Sequence, residues 1–136
     1  MANVFTGKVA IPLDKIEEYL KHMQGAEEKR EPFRQFMTDL NEDFYESQIA
    51  KFSEQTAQQH SFVVEMFIEF ICKHTDVERI EDISKGMVNI HFKQWWKKKV
   101  WDSTTPDQIA TSLKKFFLFL AQEKGIVNEK AMKGFL

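Results

Sequence analysis

The amino-acid sequence predicts an all-α fold, and three features of its patterning support that class. Only three prolines and five glycines occur in 136 residues, and most of them lie where a helix would begin or end. Apolar side chains recur every three or four residues through most of the chain. With 43% apolar residues, including thirteen Phe and three Trp, the chain can bury one continuous core. We therefore expect a single domain built as a compact multi-helix bundle.

Two helices are predicted in the N-terminal third of the chain. The first begins at its N-cap Asp14 and ends at Gly25, which supplies a left-handed stop. A charged linker over residues 26–31 follows, and Pro32 fits the first turn of a second helix that extends to about Ile49. The expected buried stripe of the first helix consists of Ile16, Tyr19, Leu20 and Met23.

The third predicted helix is the most apolar. It starts after its cap, Ser53, and runs from Glu54 to about Lys73. Apolar side chains cover nearly every direction of this helix except the line of Glu65, Glu69 and Lys73. We therefore expect the other helices to surround it, and we expect Lys73 to pair with Glu69 on a solvated stripe.

The remaining helices are predicted from their ends. A fourth helix begins after Ser84. The fifth begins at Pro106, which follows Thr105 in the pattern of a capping box, and it ends at Gly125. Asn128 then starts a short final helix, so six helices are predicted in all.

A basic and aromatic stretch over residues 92–101, FKQWWKKKVW, is the main candidate for a binding function. Lysines on this helix and on the next one can converge on phosphates of DNA. Alternatively, the tryptophans are core residues and the lysines are the solvated side of an amphipathic helix. Composition alone favours this second interpretation, because a patch without arginine is weak evidence for reading of bases. The candidate DNA-binding residues are Lys93, Lys97, Lys98, Lys114 and Lys115.

The net charge of −2 combines an acidic and a basic part of the chain. Residues 1–84 hold 9 Lys/Arg and 17 Asp/Glu, a net charge of −8, whereas residues 85–136 hold 10 Lys and 4 Asp/Glu, a net charge of +6. Such a split indicates either a surface that faces a polyanion or two parts of one domain that attract each other.

No catalytic or metal-binding motif is evident. No histidine lies three or four residues from another, and the single Cys72 falls in an apolar run, where we expect a buried, inert thiol. The sequence has no Gly-rich phosphate loop, no GxSxG and no HExxH. We therefore expect neither an enzyme nor a protein with a metal, a cofactor or a small-molecule substrate.

Residues 1–11 are expected to be extended or irregular, with no basic segment followed by a hydrophobic one. No apolar run approaches the roughly 18–20 residues needed to cross a bilayer. We expect no membrane association and a cytoplasmic location.

The order of features from Ser53 onward resembles the core-binding, SAM-like domain of tyrosine recombinases of the phage-integrase type. In that family a Ser-x-x-Thr opening leads into a helix with periodic aromatics, and later helices begin after Ile-Ser and after Thr-Pro. The residues that carry the resemblance are Ser53 to Thr56, His60, Val64, Phe67, Phe70 and Ile71, Ile83-Ser84, Phe92 to Trp96, Thr104 to Pro106, and residues 113–128. It covers 84 of 136 residues, from 53 to 136, after an acidic helical extension over residues 1–50.

The resemblance implies a four-helix core-binding arrangement that clamps DNA without cleaving it. The family's strand-cleaving chemistry lies in a separate domain, and its His-x-x-Arg pair has no match here. Glu129 stands where the family usually has proline, and the acidic helices before Ser53 have no counterpart in the minimal pattern. Those helices are also acidic enough to cover the basic surface.

Two functions therefore compete. The first is a non-catalytic DNA-binding module in which the five lysines hold phosphates, with little base specificity. The alternative is a protein-interaction or self-association module with the same fold and no nucleic-acid contact, in which an exposed apolar set of Trp101, Leu118 and Phe119 matters.

Overall fold

The computed structural model describes Val4 and residues 13–135, and most of this part of the chain is helical. Its α-helices are α1 (Ile16–Ile49), α2 (Glu54–His74), α3 (Phe92–Lys99), α4 (Pro106–Glu123) and α5 (Glu129–Lys133). Short 3-10 turns at Leu13–Lys15 and Ile80–Asp82 and a π-helical turn at Met87–His91 complete the regular structure. The all-α class is thus confirmed. The prediction for residues 1–11 lies outside the described residues except at Val4, which forms an isolated antiparallel bridge with Thr75.

Helix α1 is one continuous helix of 34 residues, so the predicted division into two helices is wrong. Gly25 lies inside this helix and does not have the left-handed conformation of a helix stop. Among the described glycines, Gly125 has the positive φ. Proline in a helix interior removes one backbone hydrogen bond. Tertiary contacts stabilise α1 two residues before Pro32. Arg30 donates there to the carbonyl oxygens of Ile71, at 3.1 Å, and Val77.

The N-terminal half of α1 is exposed to solvent. None of the side chains described between residues 14 and 36 is buried, and Met37 is the first that is. Leu20, which was predicted to be buried, is 59% exposed. The helical spacing of apolar residues is present in this half, but none of the side chains that the structure describes there is buried by a neighbouring helix. The periodicity therefore predicted the helix correctly and its burial incorrectly.

Helix α2 lies at the centre of the core, as predicted. Helices α1, α3 and α4 all pack against it, and nine of its residues are buried. Aromatic rings make much of this contact: Phe67 lies 5.1 Å from Phe92 and 6.2 Å from Phe117 between ring centroids, in edge-to-face geometry. Cys72 is buried, in agreement with its expected role as a core residue.

The helix ends follow the local signals in the sequence. The Ser53 hydroxyl accepts from the Thr56 N–H at 3.2 Å, and Thr105 and Gln108 form the reciprocal capping box. Gly125 has a φ of 67°, which only glycine adopts without strain, and it ends α4. Asn128 caps α5 by accepting from the Ala131 N–H at 3.0 Å. These four predictions are confirmed.

Substitution of Gly25 by alanine tests whether α1 is continuous. In a helix interior alanine is more favourable than glycine by about 0.5–1 kcal/mol, and a Cβ at Gly25 meets no atom within 4 Å. We expect Gly25→Ala to raise helical content by circular dichroism and to raise the free energy of unfolding by up to about that amount. Gly125→Ala is the control and should lower the free energy of unfolding by about 1 kcal/mol. Destabilisation by both substitutions would indicate a left-handed Gly25 and a broken α1.

Candidate nucleic-acid interface

Helix α3 turns its aromatic residues inward and its lysines outward. Phe92 and Trp96 are buried, and the Trp95 ring packs on Phe70 of α2 with centroids 5.7 Å apart. At 100° per residue, the positions between these rings point away from α2. Lys97 and Lys98 accordingly are exposed, and Lys93 is half-buried. Trp95 and Trp96 therefore pack in the core, and the lysines form the solvated side of the same helix.

Helix α4 presents its two candidate lysines in different directions. Leu113 and Phe116 are fully buried, which leaves Lys114 exposed. Lys115 is half-buried, and its Nζ lies 4.5 Å from the ring centroid of Phe52, in the turn between α1 and α2. This distance is typical of a cation–π contact between the ammonium group and the ring.

The basic residues are spread along α2 and do not meet at one point. Burial, and next the charge of Lys115, lower the pKa of His60 near the start of α2. Burial, and next the charge of Lys99, lower the pKa of His74, although Glu69 opposes this. Fourteen residues of helix separate the two histidines, or about 21 Å at 1.5 Å per residue. Lys115 of α4 and Lys99 of α3 thus lie toward opposite ends of α2.

None of the five candidate lysines has a carboxylate oxygen within 4.0 Å among the side chains that the structure describes. Glu69 of α2 is engaged elsewhere: it pairs with Arg34 at 2.8 Å and with Lys73, the latter as predicted. Burial raises the pKa of Glu69, but the hydrogen bonds from these two cations outweigh that effect and lower it. The carboxylate of Glu69 therefore stays ionised within its own ion-pair cluster.

The acidic residues of α1 lie on another side of α2 from the lysines of α3. Glu42 and Glu46 line a groove between α1 and α2 that also includes Glu65. Helix α1 meets α2 at Ser61 and Glu69, whereas α3 meets it at Phe67, Phe70 and neighbouring rings. Among the charges of α1, Asp43 pairs with Lys124 at 2.7 Å. Helix α1 thus leaves the lysines of α3 uncovered in the described structure.

Trp101 is 96% exposed, an unusual state for the largest apolar side chain. The preceding Val100 is extended, with φ −111° and ψ 114°, and packs against the core. Because successive side chains of an extended segment point in opposite directions, burial of Val100 turns Trp101 outward. The ring forgoes the roughly 25 cal/mol per Å² that burial of its apolar surface would supply.

The other two residues of the predicted apolar set are not comparably exposed. Phe119 is only 7% exposed and packs on Phe44 with centroids 5.5 Å apart, so its predicted exposure is wrong. Leu118 is half-buried. Helix α4 buries a wider arc than its main apolar stripe predicts, because α1 packs against it as well as α2.

A buried contact between His60 and Ser112 was not predicted from the sequence. The Nδ1 of His60 lies 2.9 Å from the Oγ of Ser112, which joins α2 to α4. A serine beside a histidine can serve as an activated nucleophile when a substrate reaches it. Ser112 is 1% exposed and His60 is 7% exposed, so the pair ties the two helices together inside the core. Their positions among buried residues, between Ala57 and Val64 and beside Leu113, were the available signal.

Metal binding and membrane insertion find no structural basis in the part of the chain that the structure describes. Its His, Cys, Asp and Glu side chains form no group of three that could hold a metal ion. None of its helices combines the length and the apolar composition that crossing a membrane requires.

Comparison of the chain with protein-family models, curated protein sequences and solved structures finds no match. The resemblance to the recombinase core-binding domain and the lysine site therefore both stay predictions.

The buried His60 should make the protein less stable in mild acid. Because burial lowers the pKa of His60 in the folded state, this histidine binds a proton below about pH 6.5 in the unfolded chain more readily than in the folded chain. The free energy of unfolding should therefore fall between pH 7.5 and pH 5.5, and His60→Gln should reduce that fall. Denaturant unfolding at both pH values measures it. Ser112→Ala is the control: it should cost about 1 kcal/mol at both pH values while the pH dependence persists. An equal fall in His60→Gln and the unsubstituted protein would contradict this assignment.

Proposed function

We propose that the protein is a non-catalytic DNA-binding module that holds the phosphate backbone with Lys93, Lys97, Lys98, Lys114 and Lys115. The observation that carries the proposal is the separation of charge around α2. The candidate lysines of α3 and α4 lack a carboxylate partner among the described side chains, while Glu42 and Glu46 of α1 line a groove on another side of α2 from α3. Unpaired ammonium groups on a folded surface gain free energy by releasing the counterions of a polyanion.

The extent of this surface suits a backbone better than a small anion. Lys115 acts on the pKa of His60 and Lys99 acts on the pKa of His74, and these two histidines are about 21 Å apart along α2, which is about the span of six phosphates of one DNA strand at 3.4 Å each. A single phosphate group would engage one end of this surface. The side chains are lysines, which act as point charges on phosphates, and α3 and α4 contain no arginine for bidentate recognition of a base. We therefore propose binding with little sequence specificity.

The proposal includes a core-binding arrangement for α2 to α5, in the order of the recombinase domain. Caps at Ser53 and Thr105 start α2 and α4 where the family pattern places helix starts. The unbroken α1 is a departure from the minimal family pattern, and its exposed N-terminal half extends that arrangement. This half supplies the second candidate function, a protein-interaction or self-association module. Leu20, 59% exposed, and Phe36, 46% exposed, favour a contact with another protein along α1.

Binding to a dye-labelled DNA duplex should depend steeply on salt. Five phosphate contacts give a slope of about −4.5 in log K against log salt, which is a loss of about 500-fold in affinity between 50 and 200 mM. Fluorescence anisotropy at four salt concentrations measures this slope. Absence of micromolar binding at 50 mM salt, or affinity that does not change with salt, would refute the proposal.

A charge-matched pair of double variants locates the site. Lys97→Glu with Lys98→Glu should weaken duplex binding at least tenfold and reduce the salt slope by about 2, because two phosphate contacts are lost. Lys21→Glu with Lys29→Glu changes the net charge equally but lies on exposed positions of α1. This control should retain most of the affinity and the slope. An equal loss in both double variants would indicate a response to net charge alone.

A changed mass of the protein by light scattering after Leu20→Glu would favour the self-association candidate.

A further inference from the structure

We propose that Trp101 is a stacking platform for an unpaired base, so that the preferred ligand is a single-stranded nucleic acid whose phosphates are held by Lys97, Lys98 and Lys99. This inference rests on the proposed function and names its ligand class. The observation behind it is the 96% exposed indole that follows, after Val100, the three exposed lysines that end α3. An exposed aromatic ring beside cationic groups is the arrangement that binds single strands without sequence preference.

The position of Trp101 is held by its neighbours. The Val100 N–H donates to the carbonyl of Trp96 at 2.9 Å, and the Val100 side chain packs against the core. On the other side, Asp102 accepts hydrogen bonds from the N–H of Thr104, at 2.7 Å, and from its hydroxyl. The segment on each side of the ring is therefore anchored, so little conformational entropy is lost when a base stacks on it.

Asp102 carries the negative charge that follows Trp101 in the sequence. Its hydrogen bonds with Thr104 reduce its repulsion of a phosphate. Its carboxylate oxygen is occupied by Thr104 within the turn that leads to α4. None of Lys97, Lys98 and Lys99 has a carboxylate within 4.0 Å in residues 13–135. The charged residues nearest to Trp101 in the sequence are thus three exposed lysines and one engaged carboxylate.

The same features favour a single strand over a duplex and over a protein partner. In a duplex both faces of each internal base are already stacked, so an indole ring has no face to cover. Protein interfaces do use tryptophan, but lysine is depleted from their centres, because burial of an ammonium group without a partner is costly. Three lysines in succession next to the ring therefore complement a phosphate backbone better than an apolar protein surface.

Trp101→Ala tests this inference by comparing two ligands. Fluorescence anisotropy is measured with a labelled thymidine oligonucleotide and with a labelled duplex of the same length, at the same low salt concentration. We expect Trp101→Ala to weaken binding of the single strand about tenfold and binding of the duplex by less than twofold. Trp101→Tyr should retain most of the affinity because it keeps an aromatic face. Val127→Ala is the matched control at another exposed apolar residue and should leave both affinities unchanged.

The outcomes separate the two proposals. Equal binding of the single strand by Trp101→Ala and the unsubstituted protein, or an equal loss with both ligands, refutes the stacking role and leaves backbone binding intact. Failure of the unsubstituted protein to bind either ligand refutes both. A lower mass of the protein by light scattering in Trp101→Ala would show that the ring lies between copies of this chain, which also overturns the proposal.

Discussion

The orientation of α3, and with it the candidate surface, depends on the packing of aromatic rings between α2 and the segment of residues 87–99. Phe67 and Phe70 of α2 meet Phe92 at 5.1 and 5.6 Å between centroids, and Trp95 stacks on Phe92 at 5.9 Å. Contacts of this kind contribute about 0.5–1.5 kcal/mol per pair beyond the burial of apolar area. Because a helix that buries one face must present the other, these rings also orient every lysine of α3.

The electrostatic pattern follows from this packing. Helix α1 carries nine Asp/Glu and four Lys/Arg, a formal charge of −5, and it packs on a different side of α2 from α3. Residues 87–99 carry four lysines and no acid, a formal charge of +4. The central apolar helix thus lies between α1 and α3, whereas α4 also packs against α1. Asp43 and Lys124 form the ion pair that joins the acidic and basic parts of the chain in the described residues.

Local signals predicted the ends of α2, α4 and α5 well, and they failed for α1, which begins after Lys15 without the predicted cap at Asp14 and continues through Gly25 and Pro32. The caps at Ser53, Thr105 and Asn128 depend on side chains within three residues, so the sequence contains all the information they need. Gly25 and Pro32 have the same local signature whether one helix or two are formed. The hydrogen bonds of Arg30 to residues near the end of α2 distinguish the cases, and they join positions more than 40 residues apart.

The candidate surface was likewise predicted only in part, because local spacing determines some of its features and tertiary packing determines the others. Spacing of three and four residues predicted that Lys97 and Lys98 point to solvent, because the tryptophans beside them must be buried. The separation of Lys115 from the lysines of α3 depends on how the helices cross, which periodicity does not encode. The same holds for Phe119, buried by α1, and for His60 with Ser112, which lie 52 residues apart. The exposure of Trp101 depends on one extended residue, Val100, after the end of α3.

The most direct test of a polyanion-binding surface outside an aromatic core is nuclear magnetic resonance of the three indole N–H groups. The rings of Trp95 and Trp96 pack in the core, and Trp101 lies outside it. During titration of the ¹⁵N-labelled protein with a single-stranded oligonucleotide at low salt, we expect the Trp101 signal to shift and the other two to stay in place. The shift should reverse when salt is raised. A Trp101 signal that does not move, or three signals that move together, would contradict the assignment of this surface.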